Sequence, residues 1–411
     1  MMMMMRKTKK VLLIHKSFPA QFYHISRKLA SDGHQVVALA MSPSKVDMSD
    51  VKIITYAIIR ERLPSVNGET PIYQDVNTKL LRGESVAYTM LKLRSEGFYP
   101  DVVYAHPGWG EAEFVRSVFP KARLVLYGEW YYNDEGQEFG FDPEYPPTEY
   151  DYLKVKVKNL FLNQAISDAD AIISPTEWQK SRFPKWAQEK ISVMHEGIDY
   201  SVISLSNPKS IQYKGRTFAL GDPIVTFATR YLEPLRGFHI FMRAVPIILS
   251  KRPDAHIFIM GMDTGRPEMP GYGPINPSGR TWKEEFRHLI EGYENNVHFM
   301  GFQKYPVYLT ILGLSACHVY LTYPFVLSQS FIEVAAIGVP TVASNTAPVL
   351  EFVSKLANVV KLVDCLNHEE VAEAVVDVLS KRYPRNPSLI KEWDIKYTLK
   401  AVEKTLFGRK R

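Results

Sequence analysis

The stretch FATRYLEPLRGF, residues 227–238, decides the fold. It starts inside an apolar run, Ile224–Ala228, and passes through a polar turn into a segment of helical periodicity, Gly237–Ser250. This pattern is typical of the strand-to-helix junction of a βαβ unit. Arg230 follows the strand end and Arg236 precedes the helix, so we expect both side chains at the carboxyl edge of a parallel sheet.

Two guanidinium groups at such an edge suit a diphosphate ligand. Each guanidinium offers a planar fork of N–H donors and keeps its charge at any physiological pH. Arg230 and Arg236 are therefore candidate ligands for the two phosphates of a nucleotide. The alternative is that both are ordinary surface arginines in a connecting loop.

Outward from this junction, short apolar runs alternate with amphipathic helical segments in both directions, which is typical of parallel sheets covered by helices. Strands are predicted at Val11–Ile14, Gln35–Ala40, Val51–Tyr56, Val102–Ala105, Arg123–Tyr127, Ala171–Ser174 and Ile191–Met194, and then at Ile224–Ala228, His256–Met260, Val297–Phe299, Cys317–Leu321, Thr341–Ala343 and Val359–Leu362. Helices are predicted at Phe22–Asp32, Leu80–Glu96, Tyr150–Ala169, Gly237–Ser250, Lys283–Glu291, Tyr305–Leu314 and Gln329–Ala336. The series predicts two doubly wound α/β domains.

The domain boundary is predicted within Ser201–Asp222, a polar stretch with weak apolar periodicity. The predicted domains are residues 1–205 and 206–388, followed by a C-terminal helix and basic tail at 389–411. Open α/β sheets bind ligands at the carboxyl ends of their strands, so we expect the two domains to face each other across a central cleft that holds two ligands.

The composition excludes several classes of protein. With 411 residues, 46% hydrophobic and 23% charged, the chain has enough apolar residues for two cores and is not a disordered protein. A net charge of +6 is mild and requires no nucleic-acid partner. Two cysteines without a CxxC pair make a disulfide scaffold or a cysteine metal site untenable. No apolar run approaches the roughly 18 residues of a spanning helix, so we expect a cytoplasmic protein with at most peripheral membrane contact.

A second informative stretch is YLTYPFVLSQSFIEVAAIGVP, residues 320–340. A strand ends near Leu321, and Ser328, Gln329 and Ser330 open a helix whose first N–H groups can bind phosphate. Glu333 lies one turn further along an otherwise apolar helix. A carboxylate there needs a partner, because an unpaired buried charge is costly. The hydroxyls of a nucleotide sugar are one candidate partner, and a neighbouring arginine is the other.

These two stretches, in this order, resemble the donor-binding half of retaining GT-B glycosyltransferases of family 4. In that family a basic pair clamps the donor diphosphate, which the resemblance assigns here to Arg230 and Arg236. The family's E-x7-E motif is matched in its second half by Glu333, which the resemblance places on the donor ribose. Phe325 stands at the first carboxylate position, so the usual contact with the donor sugar's 3- and 4-hydroxyls is not expected in its usual form.

Other pieces extend the resemblance over residues 11–407. The turn MHEGID, residues 194–199, is similar to the family's turn at the domain junction. The strand VHFMG, residues 297–301, is similar to the one whose backbone meets the nucleotide base, which implies that Phe299 and Gly301 bind the donor. HKSFPAQF, residues 15–22, takes the place of the glycine-rich loop, and YAHPGWGE, residues 104–111, the place of a histidine that faces the reacting sugar.

The acceptor side is predicted in the first domain. His106 is presented by a tight loop and is a candidate for hydrogen bonding to the transferred sugar; the alternative is a loop histidine satisfied by a backbone carbonyl. The aromatic and acidic stretch Gly128–Tyr150 suits stacking on a sugar, or else is a lid with only a packing role. The acceptor-side candidates are His15, Gln21, Trp109, Trp130 and Tyr131.

Several other motifs are missing from the sequence. There is no GxxxxGK[ST], no GxGxxG after the first strand, no HExxH and no DxD in a loop; Asp168 and Asp170 have that spacing but end a predicted helix. We therefore expect no metal and no cofactor besides the nucleotide sugar itself. Arginines and a helix start would take the place of a divalent ion.

The resemblance implies a glycosyltransferase of polysaccharide biosynthesis. It would move a hexosyl group from a UDP- or GDP-linked donor to a glycan or lipid-linked acceptor, with retention of configuration. Two alternatives stay open. A nucleotide-sugar epimerase shares the architecture but needs placed acid and base carboxylates that the sequence does not reveal. A non-catalytic binding protein for sugar nucleotides or glycans is compatible with Phe325.

Overall fold

The computed structural model describes residues 8–58, 70–205 and 209–408. The methionine run at the start of the chain, part of the predicted domain boundary and the basic tail Arg409–Arg411 lie outside these ranges. The described residues form two compact units. The first contains residues up to 134, 147–197 and 395 onward, and the second contains 135–146 and 198–394.

The strands follow the predicted apolar runs closely. They are β1 Lys10–Ile14, β2 Gln35–Ala40, β3 Lys52–Thr55, β4 Val102–Ala105, β5 Arg123–Tyr127, β6 Ala171–Ser174, β7 Ile191–Val193, β8 Ser210–Tyr213, β9 Arg216–Ala219, β10 Ile224–Leu232, β11 His256–Asp263, β12 Val297–Gly301, β13 Cys317–Tyr320, β14 Thr341–Ser344 and β15 Val360–Val363.

The helices lie between these strands. They are α1 Tyr23–Ser31, α2 Pro71–Ser95, α3 Val115–Val118, α4 Glu149–Lys158, α5 Leu160–Asp168, α6 Glu177–Arg182, α7 Lys185–Gln188, α8 Tyr200–Leu205, α9 Phe238–Lys251, α10 Trp282–Phe286, α11 Tyr305–Leu314, α12 Gln329–Ile337, α13 Ala347–Val353, α14 His368–Lys381 and α15 Ile395–Leu406.

Each unit is built on one parallel sheet. The first sheet has the order β3-β2-β1-β4-β5-β6-β7 and the second β12-β11-β10-β13-β14-β15. Buried apolar clusters cover both faces of each sheet, as the uninterrupted apolar strands require. The predicted fold class, two Rossmann-like doubly wound domains, is confirmed.

The chain order of each sheet reverses at one place. In the first sheet the reversal lies between β1 and β4, and in the second between β10 and β13. Loops leave the carboxyl ends of two neighbouring strands in opposite directions at such a point and open a crevice between them. The two points therefore mark where each unit is expected to hold a ligand.

Residues 135–146 and 198–205 are predicted in the first domain but lie in the second unit, and the segment 389–411, predicted to stand apart, joins the first unit from residue 395 onward. The C-terminal helix α15 packs in the first unit, where Val402 and Leu406 join the core beneath α1. Residues 135–146, which are flanked in sequence by first-unit residues, pack in the second unit. Periodicity along the chain carries no information on either docking, because both depend on contacts made over a long sequence separation.

One predicted helix is divided in the structure, and one polar stretch contains a hairpin. The predicted helix Tyr150–Ala169 is two helices separated at Asn159, whose side chain exchanges hydrogen bonds with the backbone of Tyr132 instead of pointing to solvent. The stretch before β10 contains the antiparallel hairpin β8–β9. Lys214 and Gly215, both at positive φ, form its two-residue turn.

Candidate functional site

The donor-side candidates of the second unit meet at its topological switch point. Strands β10 and β13 are hydrogen-bonded neighbours, and the loops after them carry Arg236 and the start of α12. Gly237, at φ 67°, brings the two loops together, since a Cβ atom there would lie 2.3 Å from Leu321 Cβ. The predicted grouping of these segments at one sheet edge is therefore what the structure shows.

Arg236 is held by the loop after β13. Its Nη1 donates to Thr322 Oγ1 at 3.0 Å and to the Val326 carbonyl at 2.9 Å, and the Phe325 ring centre lies 5.1 Å from the guanidinium carbon. The residue is 8% exposed. Within the described residues both hydrogen bonds use Nη1, so the remaining N–H groups of the fork are available to an anion. Phe325, at the first motif position, packs on this guanidinium.

Arg230 lies within β10, which extends to Leu232, and not after the strand end as predicted. It is exposed and lies beside a long loop between β11 and α10. Its Nη1 donates to the Tyr272 hydroxyl at 3.1 Å, and its guanidinium lies over the Tyr231 ring. The same loop is anchored by Glu233, whose Oε2 accepts the backbone N–H groups of Tyr272 and Gly273, both at 2.9 Å. Burial raises the pKa of Glu233 to about 7. Sequence reasoning missed Glu233 and Tyr272, although Glu233 lies between the two predicted arginines.

The start of α12 is open for an anion. Ser328 is the N-cap residue in extended conformation, but no side chain caps the helix. Its hydroxyl is instead paired with the Ser330 hydroxyl at 2.6 Å. The first N–H groups of this helix, at Gln329 and Ser330, thus carry the partial positive charge of the helix without a side-chain acceptor. The three predicted residues lie together as expected.

Glu333 is buried one turn into α12, as predicted, but its partners are unexpected. The Tyr305 hydroxyl donates to Oε1 at 2.9 Å and the Tyr308 hydroxyl to Oε2 at 2.8 Å. Both tyrosines belong to α11, and no arginine takes that role among the described contacts. Burial raises the pKa of Glu333 to about 7, against the opposing effect of the two tyrosine hydrogen bonds. The ribose contact stays a prediction.

A cavity of about 470 Å³ opens along the same sheet edge. Its walls come from the ends of β10, β11 and β12 and include Phe299 and Gly301, the two residues predicted to meet a nucleotide base. Lys283, from α10, also lines the cavity and lies over the Phe299 ring at 4.8 Å. Tyr231, next to Arg230 in sequence, forms another part of the wall. The cavity therefore reaches the part of β10 that carries Arg230.

A polar network occupies the switch point of the first unit. His106 Nδ1 accepts the N–H of Gly108 at 3.1 Å, so the ring proton lies on Nε2 and is donated to Glu129 Oε2 at 3.1 Å. His15 has the same hydrogen-bonding pattern: its Nδ1 accepts the N–H of Ser17 at 3.0 Å, and its Nε2 lies 3.0 Å from Gln21 Oε1. Gln21 donates to Glu129 Oε1 at 2.9 Å.

Glu129 is thus the shared acceptor of the predicted acceptor-side residues, and sequence reasoning missed it. It follows β5 after Gly128, so its place at a strand end was the available signal. His106 is 5% exposed and stacks on Trp109 at a centroid distance of 4.1 Å. The predicted alternative, a loop histidine held by a backbone carbonyl, is wrong, since its backbone partner is an N–H group.

The other acceptor-side aromatic candidates, Trp130 and Tyr131, are half-buried and pack against other aromatic side chains of the first unit. Trp130 packs against Trp178 at 5.5 Å. Tyr131 packs against Phe183, and its hydroxyl donates to Asn163 Oδ1 at 3.0 Å. These contacts are structural, and they do not bring Trp130 or Tyr131 into the network around Glu129.

One group of side chains has the donor chemistry for a cation. Asp142, Glu144 and His239 each offer one ligand atom within 4.8 Å of the others. Glu144 is held by both terminal nitrogens of Arg243 at 2.6 Å, and Asp142 accepts the Tyr323 hydroxyl. Both carboxylates therefore have partners within the protein: Glu144 is in an ion pair with Arg243, and Asp142 lies between the Tyr323 hydroxyl and His239 Nε2. No helix of the described residues is long and apolar enough to cross a membrane.

Comparisons with known proteins support a glycosyltransferase fold for the chain. A family model described as "Glycosyl transferase family 4 group" matches residues 32–203, and one described as "Glycosyl transferases group 1" matches residues 222–381. No curated protein sequence matches the chain.

Solved structures share the fold at low sequence identity. A glycosyltransferase from Rickettsia africae is 14% identical over 98% of this chain and 100% of that one, with a TM-score of 0.60. Anabaena HepE, in complex with UDP and glucose, is 14% identical over 97% and 99%, with a TM-score of 0.60. Sucrose-phosphate synthase from Thermosynechococcus elongatus is 13% identical over 96% and 98%, with a TM-score of 0.67.

Proposed function

We propose that this chain, a glycosyltransferase of the GT-B fold, binds a nucleoside-diphosphate sugar in its second unit and transfers the sugar with retention of anomeric configuration. The observation that carries the proposal is the composition of the switch point between β10 and β13. It combines Arg230, Arg236 and the uncapped start of α12, and a cavity large enough for a nucleoside opens beside it, at the ends of β10, β11 and β12. A diphosphate needs such positive groups, and its nucleoside needs such a cavity.

The chemistry of transfer suits these groups. The bond between the anomeric carbon and the donor phosphate oxygen breaks, the acceptor hydroxyl oxygen bonds to the anomeric carbon and releases its proton to solvent, and the nucleoside diphosphate leaves with an additional negative charge. Groups that are already oriented toward the leaving oxygens stabilise this charge without reorganisation. We assign that role to Arg230, Arg236 and the N–H groups of Gln329 and Ser330, and we propose that no metal ion is required.

The first unit is proposed to hold the acceptor, a glycan or a lipid-linked glycan. The carboxylate of Glu129 accepts from Gln21 and His106 at the switch point of the first sheet. A carboxylate with about four acceptor positions can also receive an acceptor hydroxyl. In this proposal His106 fixes the Glu129 carboxylate through Nε2–H, and its ring does not act as a base, because its Nδ1 accepts a backbone N–H.

The experiment is incubation with a panel of UDP- and GDP-linked sugars, with and without candidate glycan acceptors. Chromatography would report free nucleoside diphosphate, and proton NMR would report the anomeric configuration of the product. We expect acceptor-dependent release of one nucleoside diphosphate and a product with the configuration of the donor. Conversion of the donor into an epimer, or binding without turnover across the panel, would contradict transfer, and an inverted product would contradict retention.

A further inference from the structure

Residues 135–146 belong to the second unit, and their side chains pack against its other elements. Phe141 packs on Tyr323 at a ring-centroid distance of 5.1 Å, and Tyr145 packs edge-on against Trp282. Glu144 forms a two-bond ion pair with Arg243 of α9. Phe141, Glu144 and Tyr145 therefore pack within the second unit. The choice between a sugar-stacking role and a packing role for the stretch Gly128–Tyr150 stays a prediction.

Asp142 is the most deeply buried carboxylate of this segment, at 4% exposure. Its Oδ2 accepts the Tyr323 hydroxyl and lies 2.9 Å from His239 Nε2, and its Oδ1 accepts the N–H of Glu144 at 2.9 Å. His239 is fully buried on α9. Burial acts to raise the pKa of Asp142, but the contacts with His239 and Tyr323 outweigh it and lower that pKa. Asp142 therefore stays charged.

These contacts close a ring through the candidate diphosphate site. Arg236 donates to Thr322, the residue next to Tyr323, and the N–H of Tyr323 donates to the Leu235 carbonyl at 3.1 Å. Tyr323 reaches Asp142, and Asp142 reaches His239, which follows Arg236 by three residues. Asp142 belongs neither to the two loops nor to α9. Its carboxylate ties α9, which follows the loop after β10, to the loop after β13.

We propose that Asp142 is a positioning residue for the donor diphosphate, acting through Tyr323 and Thr322 on the guanidinium of Arg236. The inference rests on the proposed function, because it names Arg236 as a phosphate ligand. Asp142 itself touches no substrate. The charge of Asp142 holds the two loops at the distance at which the Arg236 guanidinium and the first N–H groups of α12 can bind the same diphosphate.

The test measures the dissociation constants of UDP and GDP by calorimetry, together with the melting temperature of each variant. Asp142→Asn removes the charge, and Tyr323→Phe removes only the hydroxyl that Asp142 accepts. Glu144→Gln is the matched control, since it is the same acid-to-amide change two residues away and touches Arg243, not Tyr323. We expect Asp142→Asn and Tyr323→Phe to raise the dissociation constant about tenfold, on the scale of one lost charge-assisted hydrogen bond, and Glu144→Gln to leave it within twofold.

A double-mutant cycle separates positioning from general loosening. In an Arg236→Ala background, Asp142→Asn should cause no further loss of nucleotide affinity, because its effect passes through Arg236. Unchanged affinity in Tyr323→Phe, an equal loss in Glu144→Gln, or additive losses with Arg236→Ala would each overturn the proposal. Failure of the wild-type protein to bind either UDP or GDP would instead contradict the proposed function.

Discussion

Glu333 offers a test in which stability and function move in opposite directions. Its carboxylate is buried, and its pKa rises from 4.5 to about 7 on folding. At 1.36 kcal/mol per pH unit this corresponds to a cost of ~3 kcal/mol for holding the ionised form in the folded protein. The folded state binds the proton more tightly than the unfolded state between pH 4.5 and 7, so this group's contribution to stability falls as pH rises through that window and stays low above it.

Glu333→Gln removes the ionisable group and should relieve that cost only where Glu333 is ionised. Relative to its effect at pH 5, the substitution should stabilise the protein at pH 8 by up to ~3 kcal/mol. For a unit of this size that corresponds to roughly 6–12 °C in melting temperature. Calorimetric melting of both proteins at the two pH values measures the difference. Glu291→Gln, at an exposed carboxylate, is the control and should show no such dependence.

The same substitution should weaken nucleotide binding, since a carboxylate that accepts ribose hydroxyls makes charge-assisted bonds of roughly 1.5–3 kcal/mol. Both proteins are titrated with UDP and with a UDP analogue that lacks the ribose hydroxyls. We expect the substitution and the missing hydroxyls together to cost little more affinity than either change alone. A stability difference between the wild type and Glu333→Gln that does not change with pH would contradict the raised pKa of Glu333. Simply additive binding losses would show that Glu333 does not touch the ribose.

Three further outcomes are expected. Activity should survive thorough treatment with EDTA, because the leaving charge is assigned to protein groups; loss of turnover that magnesium or manganese restores would contradict this. His106→Ala should lower turnover by on the order of tenfold or more and leave UDP affinity within twofold, since His106 holds Glu129 in the first unit and the nucleotide is assigned to the second; an equal change in both would place its effect elsewhere. Burial, with His256 nearby, lowers the pKa of His298 to about 4. The free energy of unfolding should therefore fall as the pH is lowered from 6.5 to 4, because the unfolded state takes up the proton first. Urea titrations should show a smaller fall in His298→Gln, and an unchanged fall would contradict the assignment.

The sequence predicted the fold well because each sheet is made of local signals. A strand such as β5 Arg123–Tyr127 is buried along its whole length, so an apolar run marks it without reference to the rest of the chain. The switch-point residues could also be predicted, since Arg236 and Ser330 lie in the strand-to-helix connections that follow strands located by the pattern. Their meeting at one edge follows from parallel topology alone.

Partners across the chain were not predictable in the same way. Tyr305 and Tyr308 bind Glu333 from another helix, 28 and 25 residues away, and Asp142 reaches Tyr323 over 181 residues. No periodicity links such pairs, because the contacts arise only when the elements pack. Glu129 is the intermediate case: its place at a strand end was visible, but its role as the shared acceptor depends on two other strand-end loops.

Titration calorimetry of UDP and GDP with the wild-type protein and Arg236→Ala, in the presence of EDTA, tests the assignment of the donor site most directly. Arg252→Ala is the matched control, since Arg252 pairs with Asp254 at the end of α9, away from the carboxyl edge of the second sheet. The account predicts that at least one nucleoside diphosphate binds the wild type and the control alike. It predicts a loss of 2–4 kcal/mol, on the order of 30- to 1,000-fold, in Arg236→Ala. Equal affinity in Arg236→Ala and the wild type would contradict the assignment.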